Sequence, residues 1–242
     1  MHGYMGFKDW GCWNLVQDVF TLKQMNFAKF NVSHNGTSLN NQTEFVDLGS
    51  FSINSYWKEL EDLTLFINHL ESKYNRKKIH LIGHSRGGGT VLLASRHKNV
   101  KSITTWAAIS DIAKRIPNGD KLKDWQEKEF YYVKNGRTSQ EMPHHISQLT
   151  DFIEHQEVLN IKVACENLTK PLCVIHGTDD DSVNISESEE IANNANVIIH
   201  KIEDANHTFD SKHPWENIYL PKILLNICNI TLRFIEKTTI HE

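Results

Sequence analysis

Residues Gly83–Gly87 have the types and spacing of a turn that carries a serine nucleophile. They read G-H-S-R-G and lie between an apolar run, Ile79–Ile82, and a stretch that can form a helix, Gly88–His97. On a sharp strand-to-helix turn of this kind the central serine has a strained backbone, and a glycine on each side lets neighbouring backbone approach closely. The pattern therefore predicts that Ser85 presents its hydroxyl group above the end of a strand.

A serine nucleophile needs a histidine base and a carboxylate that orients this histidine. Both residue types occur downstream, after predicted strands. Asp179–Asp181 follow the apolar run Leu172–Ile175, and His207 follows the run Asn196–Ile202. Because the carboxyl ends of parallel strands meet at one edge of a sheet, we expect these side chains to lie near Ser85.

Other short motifs accompany the serine turn. His2–Tyr4 read H-G-Y, His176–Val183 read H-G-x-x-D-x-x-V, and Asn206 directly precedes His207. Together with Gly83–Gly87, these motifs resemble those of α/β-hydrolases, in the esterase-like branch that also holds cinnamoyl and feruloyl esterases and serine aminopeptidase-like hydrolases. The resemblance extends over nearly the whole chain. It implies the α/β-hydrolase fold, a mostly parallel, doubly wound sheet with a cap insertion.

The resemblance also implies a role for each motif residue. The H-G-Y motif matches the oxyanion loop, and Asp180 matches the acid, with Asp179 and Asp181 as the nearest alternatives. Such a site requires no cofactor and no metal. The implied nucleophile, acid, base and two backbone N–H donors of the oxyanion hole are Ser85, Asp180, His207, Tyr4 and Arg86.

Only Met1 precedes the H-G-Y motif. In the family that the chain resembles, this motif follows the third strand, which lies inside the sheet. Without that strand, backbone groups in the core would lack hydrogen-bond partners. We therefore expect the N-terminal strands, about thirty residues at typical strand lengths, to be missing from this sequence. The alternative is a sheet that is genuinely shorter.

The composition is that of an ordinary globular domain. Of the 242 residues, 39% are hydrophobic and 23% are charged, and the net charge is −4. Such a charge gives no electrostatic footprint for nucleic acid. No apolar stretch is long enough for a transmembrane segment and no secretory signal is visible, so we expect a cytoplasmic protein. The oligomeric state stays open.

The spacing of histidine and cysteine gives no metal motif. Among the 14 histidines, His144 and His145 are adjacent, so they cannot share one helix face, and the chain has no H-E-x-x-H sequence. Cys173 and Cys228 lie in apolar runs, which predicts buried free thiols and no disulfide framework.

The apolar residues alternate between helical and strand periodicity, as a doubly wound fold requires. The polar stretch Ser33–Ser52 is predicted to be a loop. The predicted helices are Trp10–Asn26, Tyr56–Tyr74 and Arg86–His97, and the predicted strands are Phe27–Val32, Ile79–Ile82, Val100–Ala108, Leu172–Ile175 and Asn196–Ile202.

The length favours a single domain over residues 1–242, with a core formed by 1–109 and 172–242. The remaining segment, 110–171, is too long for one crossover helix and too apolar for a linker. We interpret it as a cap or lid.

The predicted cap contains an aromatic cluster, Trp125 and residues 130–132, followed by Asn135 and Gly136. Asn-Gly readily adopts positive φ and therefore predicts a tight hairpin turn. The cap would form a wall of an acyl or aromatic pocket. For any one aromatic residue, simple packing of the cap against the core is the more common role.

These motifs favour a serine hydrolase that cleaves a carboxylic ester of a small or medium acyl group, with an aromatic acid as one option. An acyl thioesterase or a serine aminopeptidase-like peptidase would use the same triad. An inactive or binding-only truncated member is the remaining alternative, against which the intact set of Ser85, Asp180 and His207 weighs. The expected partner is a small-molecule acyl ester.

Overall fold

A parallel sheet forms the centre of the computed structural model, which describes residues 1–75 and 78–240. Its four strands lie in the order β1-β2-β5-β6, and a separate antiparallel hairpin pairs β3 with β4. The central strands are buried on both faces, since helices cover the sheet on each side. The strands are β1 (Ile79–His84), β2 (Val100–Trp106), β3 (Phe130–Lys134), β4 (Glu141–His145), β5 (Leu172–Gly177) and β6 (Ile199–Ile202).

The helices cover the sheet in two layers, each with its own hydrophobic core. The first and last helices pack on one face, and the third, fourth and eighth pack on the other. No helix in the described part of the chain is long and apolar enough to cross a membrane. The helices are α1 (Trp13–Leu22), α2 (Leu48–Ser52), α3 (Tyr56–Tyr74), α4 (Arg86–Leu93), α5 (Gly119–Lys128), α6 (Ser147–Glu154), α7 (Ile161–Glu166), α8 (Ile185–Asn194) and α9 (Lys222–Ile240).

The predicted helix Tyr56–Tyr74 is confirmed as α3. It begins after Ser55, whose hydroxyl accepts a hydrogen bond from the Lys58 N–H, and it ends at Asn75 in the left-handed conformation. Both are common boundary signals of helices, an N-cap and a left-handed C-terminal residue. α1 is shorter than predicted because Gly11 and Gln24, on either side of it, have positive φ.

The predicted strand Phe27–Val32 is wrong, because this segment pairs with no strand among the described residues. Its side chains are nevertheless packed. The Phe27 ring lies 5.2 Å from that of Phe20, and the Phe30 ring is stacked 4.4 Å from that of Phe66. The apolar pattern therefore predicted the packing of these side chains correctly, but a strand also needs a neighbouring strand for its backbone hydrogen bonds.

The other predicted elements are present with different bounds. β1 and β5 each extend two residues beyond the predicted run, whereas β2 and β6 are shorter. The helix predicted over Arg86–His97 is α4, followed by a 3₁₀ turn at Ala94–Arg96. The predicted loop Ser33–Ser52 includes the short helix α2.

β1 lies at an edge of the sheet, and Met1 is hydrogen-bonded beside it. The Met1 ammonium group donates to Ile82 O at 2.7 Å, and the His84 N–H donates to Met1 O at 3.1 Å. Burial lowers the pKa of this ammonium group to about 5. These two bonds place the H-G-Y motif directly against the turn after β1.

Residues 110–171 contain the hairpin and α5 to α7. The predicted hairpin is confirmed, although its loop is not a two-residue turn, since Asn135 N donates to Gln140 O and closes a longer loop. The predicted buried free thiols are also confirmed. The four cysteines are free and buried: Cys12, Cys165, Cys173 and Cys228.

Candidate active site

Ser85 lies on the sharp turn between β1 and α4, with φ 56° and ψ −123°. A non-glycine residue adopts this conformation only when its surroundings enforce it. Here the neighbouring backbone is packed very closely. A Cβ atom on Gly83 would collide with the Gly87 carbonyl, and one on Gly87 would collide with the His2 carbonyl. The flanking glycines thus allow the turn that the sequence predicted.

His207 and Asp180 form a hydrogen-bonded pair at the ends of β5 and β6. The His207 Nδ1 lies 2.8 Å from Asp180 Oδ2, and the other carboxylate oxygen accepts from the N–H groups of Ser182 and Val183 at 2.9 and 2.8 Å. Burial raises the pKa of Asp180, but hydrogen bonds from His176 and His207 outweigh it and hold the pKa below its usual range. The carboxylate is therefore ionised and faces the histidine.

The two loops that carry this pair are joined by backbone contacts. The Thr178 N–H donates to Ile202 O at 2.9 Å, and the Asp179 N–H donates to Ala205 O at 3.0 Å. Asp179 and Asp181, the alternatives to Asp180, are exposed. In the described structure, neither has a hydrogen bond to His207. The loop register brings only the middle aspartate to the histidine.

Two further histidines support the pair. His176 is fully buried, with Nε2 3.0 Å from Asp180 Oδ2 and Nδ1 2.7 Å from Ser188 Oγ. His84 lies beneath the turn, and its Nε2 donates to the His207 carbonyl oxygen at 2.8 Å. Burial lowers the pKa of His84 to about 3, so this ring is neutral. Its contact with the His207 backbone was not expected from the sequence.

The H-G-Y loop lies against the serine. A Cβ atom on Gly3 would be 2.9 Å from Ser85 Cβ and 3.4 Å from Ser85 Oγ. Tyr4 follows it directly, and Arg86 is the first residue of α4. The backbone N–H groups of Tyr4 and Arg86 therefore belong to the two segments that flank the hydroxyl group.

The Arg86 side chain forms an ion pair with a carboxylate of α3. Its Nε lies 2.9 Å from Glu59 Oε1, and its guanidinium carbon lies 3.7 Å from the centre of the Tyr56 ring. Burial opposes the charge, but the Glu59 carboxylate prevails and raises the pKa of Arg86. Glu59 is itself buried, which could not be predicted because it lies on a charged stretch of α3.

A cavity of about 460 Å³ lies next to Ser85, His207 and the H-G-Y loop. Ser85 and His207 both line it, although no hydrogen bond joins them in the structure described. In enzymes without substrate, such contacts are often long and shorten in the substrate complex. Residues of the segment 110–171 form much of the wall, among them Trp125, Tyr131, Val133, His144, Leu149 and Phe152.

One group of three potential metal ligands occurs in the described chain, Asp151, Glu154 and His155. None of the three lines the cavity. The His155 ring is stacked 4.0 Å from the Trp57 ring, and exposed acidic groups are common without a metal. These three residues therefore lie apart from the cavity that Ser85 and His207 line.

Residues 19–215 match the prolyl oligopeptidase family. No curated protein matches the chain.

Several solved structures have a similar fold at low identity. Est1E from Butyrivibrio proteoclasticus, solved with bound ferulic acid, is 16% identical, with a TM-score of 0.70 over 99% of this chain and 87% of that one. A monoacylglycerol lipase of Paleococcus ferrophilus is 13% identical, with a TM-score of 0.68 over 98% of this chain and 93% of that one. An esterase domain from Rhodothermus marinus is 19% identical, with a TM-score of 0.56 over 86% and 77%. The chain has the α/β-hydrolase fold and belongs to the prolyl oligopeptidase family.

Proposed function

We propose that the protein is a serine hydrolase that cleaves carboxylic esters of small or medium acyl groups through an acyl-enzyme. The observation that carries this proposal is the contact of 2.8 Å between His207 Nδ1 and Asp180 Oδ2, because His207 lines the same cavity as Ser85. A carboxylate that accepts from Nδ1 leaves Nε2 of the histidine as the base.

In the proposed mechanism, His207 removes the proton of Ser85 as Oγ attacks the acyl carbonyl carbon. The backbone N–H groups of Tyr4 and Arg86 stabilise the resulting oxyanion, and Asp180 stabilises the imidazolium ion. His207 then protonates the leaving alcohol. Water, activated by the same histidine, attacks the acyl-enzyme and releases the acid, so that Ser85 regains its proton.

We further propose that residues 1–109 and 172–242 form the catalytic core and that 110–171 form a cap that sets the acyl preference. The cap supplies Trp125, Tyr131 and Phe152 to the cavity wall. Rings of this kind suit an aromatic or short aliphatic acyl group. The ferulic acid bound to Est1E, which has the same fold, is compatible with an aromatic acid.

A peptidase is the second candidate, favoured by the match to a family that is named for an oligopeptidase. A thioesterase would need the same triad. The fold cannot distinguish an esterase, a thioesterase and a peptidase, because these enzymes differ in the leaving group of the substrate.

A panel of para-nitrophenyl esters, acyl thioesters and aminoacyl para-nitroanilides tests the proposal. We expect the highest kcat/KM with esters, and in Ser85→Ala we expect a loss of up to about a million-fold, as for other triad nucleophiles. Asn99→Ala, a buried change outside the cavity, serves as the control. Ester hydrolysis that persists in Ser85→Ala would overturn the serine mechanism. Faster cleavage of the anilides would identify a peptidase, and no turnover of any class would indicate a binding protein.

A further inference from the structure

A chain of hydrogen bonds runs from the oxyanion loop into the predicted cap. The Tyr4 Oη lies 2.7 Å from His144 Nε2, and His144 Nδ1 lies 3.0 Å from Gln148 Oε1. The Gln148 Nε2 donates to Ser52 O at 2.6 Å. Tyr4 and His144 are 140 positions apart in sequence, on the loop and on β4. These hydrogen bonds therefore join segments that are far apart in the sequence.

Each bond in this chain has a single direction. The Gln148 amide nitrogen donates to a carbonyl, so its oxygen faces His144 and can only accept. His144 must then carry its proton on Nδ1. Burial lowers the pKa of His144 to about 4, so the ring is neutral and Nε2 has a free lone pair. The Tyr4 hydroxyl group consequently donates to His144.

His144 is held by ring stacking and by a hydrogen-bond partner at each ring nitrogen. Its exposed fraction is 4%, and its ring is stacked on that of Tyr131 at 4.5 Å with an interplanar angle of 13°. The Trp125 indole N–H donates to the His144 backbone oxygen at 3.0 Å. A side chain fixed in this way is a rigid acceptor for the Tyr4 hydroxyl group.

Tyr4, by contrast, lies in a turn that needs support. The Gly6 N–H donates to Gly3 O at 3.1 Å, so Tyr4 and Met5 are the central residues of a β-turn. Met5 has φ 51°, a conformation that a residue other than glycine adopts at a cost. The Tyr4 N–H belongs to the Gly3–Tyr4 peptide at the start of this strained turn, so the anchoring of the Tyr4 side chain bears directly on the position of that N–H. Tyr4 is 40% exposed; its ring lies 6.1 Å from that of Phe51 and 5.7 Å from that of His144, and its hydroxyl group makes the hydrogen bond to the cap.

We propose that His144 is a positioning residue for catalysis, which holds the Tyr4 backbone N–H in the oxyanion hole by accepting the hydrogen bond of the Tyr4 hydroxyl group. This inference rests on the proposed ester hydrolysis. It makes the cap part of the reaction machinery as well as a wall of the pocket, because a displaced cap would release the oxyanion loop.

Tyr4→Phe tests the proposal, since it removes the hydroxyl group alone. Loss of a whole oxyanion donor costs about a hundred- to a thousand-fold in turnover, so a donor that is merely released should cost about tenfold or more. The loss should be in kcat, with KM nearly unchanged, because the oxyanion exists only after the attack. Tyr132→Phe is the matched control, because Tyr132 is an exposed tyrosine on the hairpin that carries His144.

His144→Leu should lower kcat as much as Tyr4→Phe does, and the double variant should lose no more than either single variant, because both remove one bond. His144→Gln keeps an acceptor and should restore part of kcat. Melting temperatures identify any variant that fails to fold, and Tyr4→Phe leaves the packing unchanged. If wild-type protein hydrolyses esters and Tyr4→Phe has an unchanged kcat, or a change in KM alone, the positioning role is wrong. If wild-type protein hydrolyses no ester, the proposed function itself fails.

Discussion

Replacement of Asp180 by asparagine tests the assignment of the acid at a single pair of atoms. The Asp180 Oδ1 accepts from the N–H groups of Ser182 and Val183, and Oδ2 faces His207 Nδ1 at 2.8 Å. An asparagine must keep its oxygen toward the two backbone donors, so its NH₂ group replaces Oδ2. That group donates to Nδ1 of His207 and forces the ring proton onto Nε2. The histidine can then no longer act as the base.

The expected loss in kcat for Asp180→Asn is about ten-thousand-fold, the size seen when a triad histidine is held in the wrong tautomer. The assay is steady-state hydrolysis of a para-nitrophenyl ester, with thermal unfolding to show that the variant is folded. Asp179→Asn and Asp181→Asn are matched controls, because both side chains are exposed. These controls should keep nearly all of the activity. A loss below about tenfold in Asp180→Asn, or a larger loss in Asp179→Asn, would refute the assigned triad.

Two further changes probe the packing around the site. Gly3→Ala places a Cβ 2.9 Å from Ser85 Cβ and should lower kcat by about a hundred-fold, as loss of an oxyanion donor does. Gly136→Ala is the control, because the space around Gly136 is open and the change should have no effect. Equal activity of the two variants in the ester assay would contradict the close approach of Gly3 to Ser85. Burial lowers the pKa of His84 to about 3 and that of His144 to about 4, so both are neutral when folded and take up protons on unfolding below their ordinary pKa. The free energy of unfolding, measured with urea, should thus fall as the pH is lowered from about 6.5 toward 4, with about 1.4 kcal/mol per pH unit for each histidine. His84→Phe should reduce this slope, and an unchanged slope would show that His84 does not contribute.

The sequence predicted the parts of the site that depend on local chain geometry. Ser85 could be recognised because its turn needs flanking glycines. The run Asp179–Asp181 and His207 could be recognised because each lies on a loop after a strand, whereas the choice of Asp180 came from the resemblance to α/β-hydrolases. The periodicity of the apolar residues predicted the alternation of helices and strands, and it predicted both ends of α3 correctly. In such cases, the residues that indicate a feature lie within a few positions of the feature itself.

Features that depend on partners distant in sequence were not predictable in this way. The segment Phe27–Val32 has the composition of a strand, yet it has no neighbouring strand among the described residues. Glu59 looks like one more charged residue on a helix surface, but it is buried because Arg86 pairs with it from α4. His144 resembled the other histidines until its bond to Tyr4 was visible.

The same distinction separates the two halves of the proposed reaction. The proton transfers need residues at strand ends, where a single chain segment fixes each side chain, so they leave motifs in the sequence. The stabilisation of the oxyanion needs Tyr4 to be held by the cap, through a bond between residues 140 positions apart. Such a bond can be replaced by any donor and acceptor that meet at the same point, and it requires no fixed spacing. Chemistry is therefore easier to recognise from this sequence than the contacts that tune it.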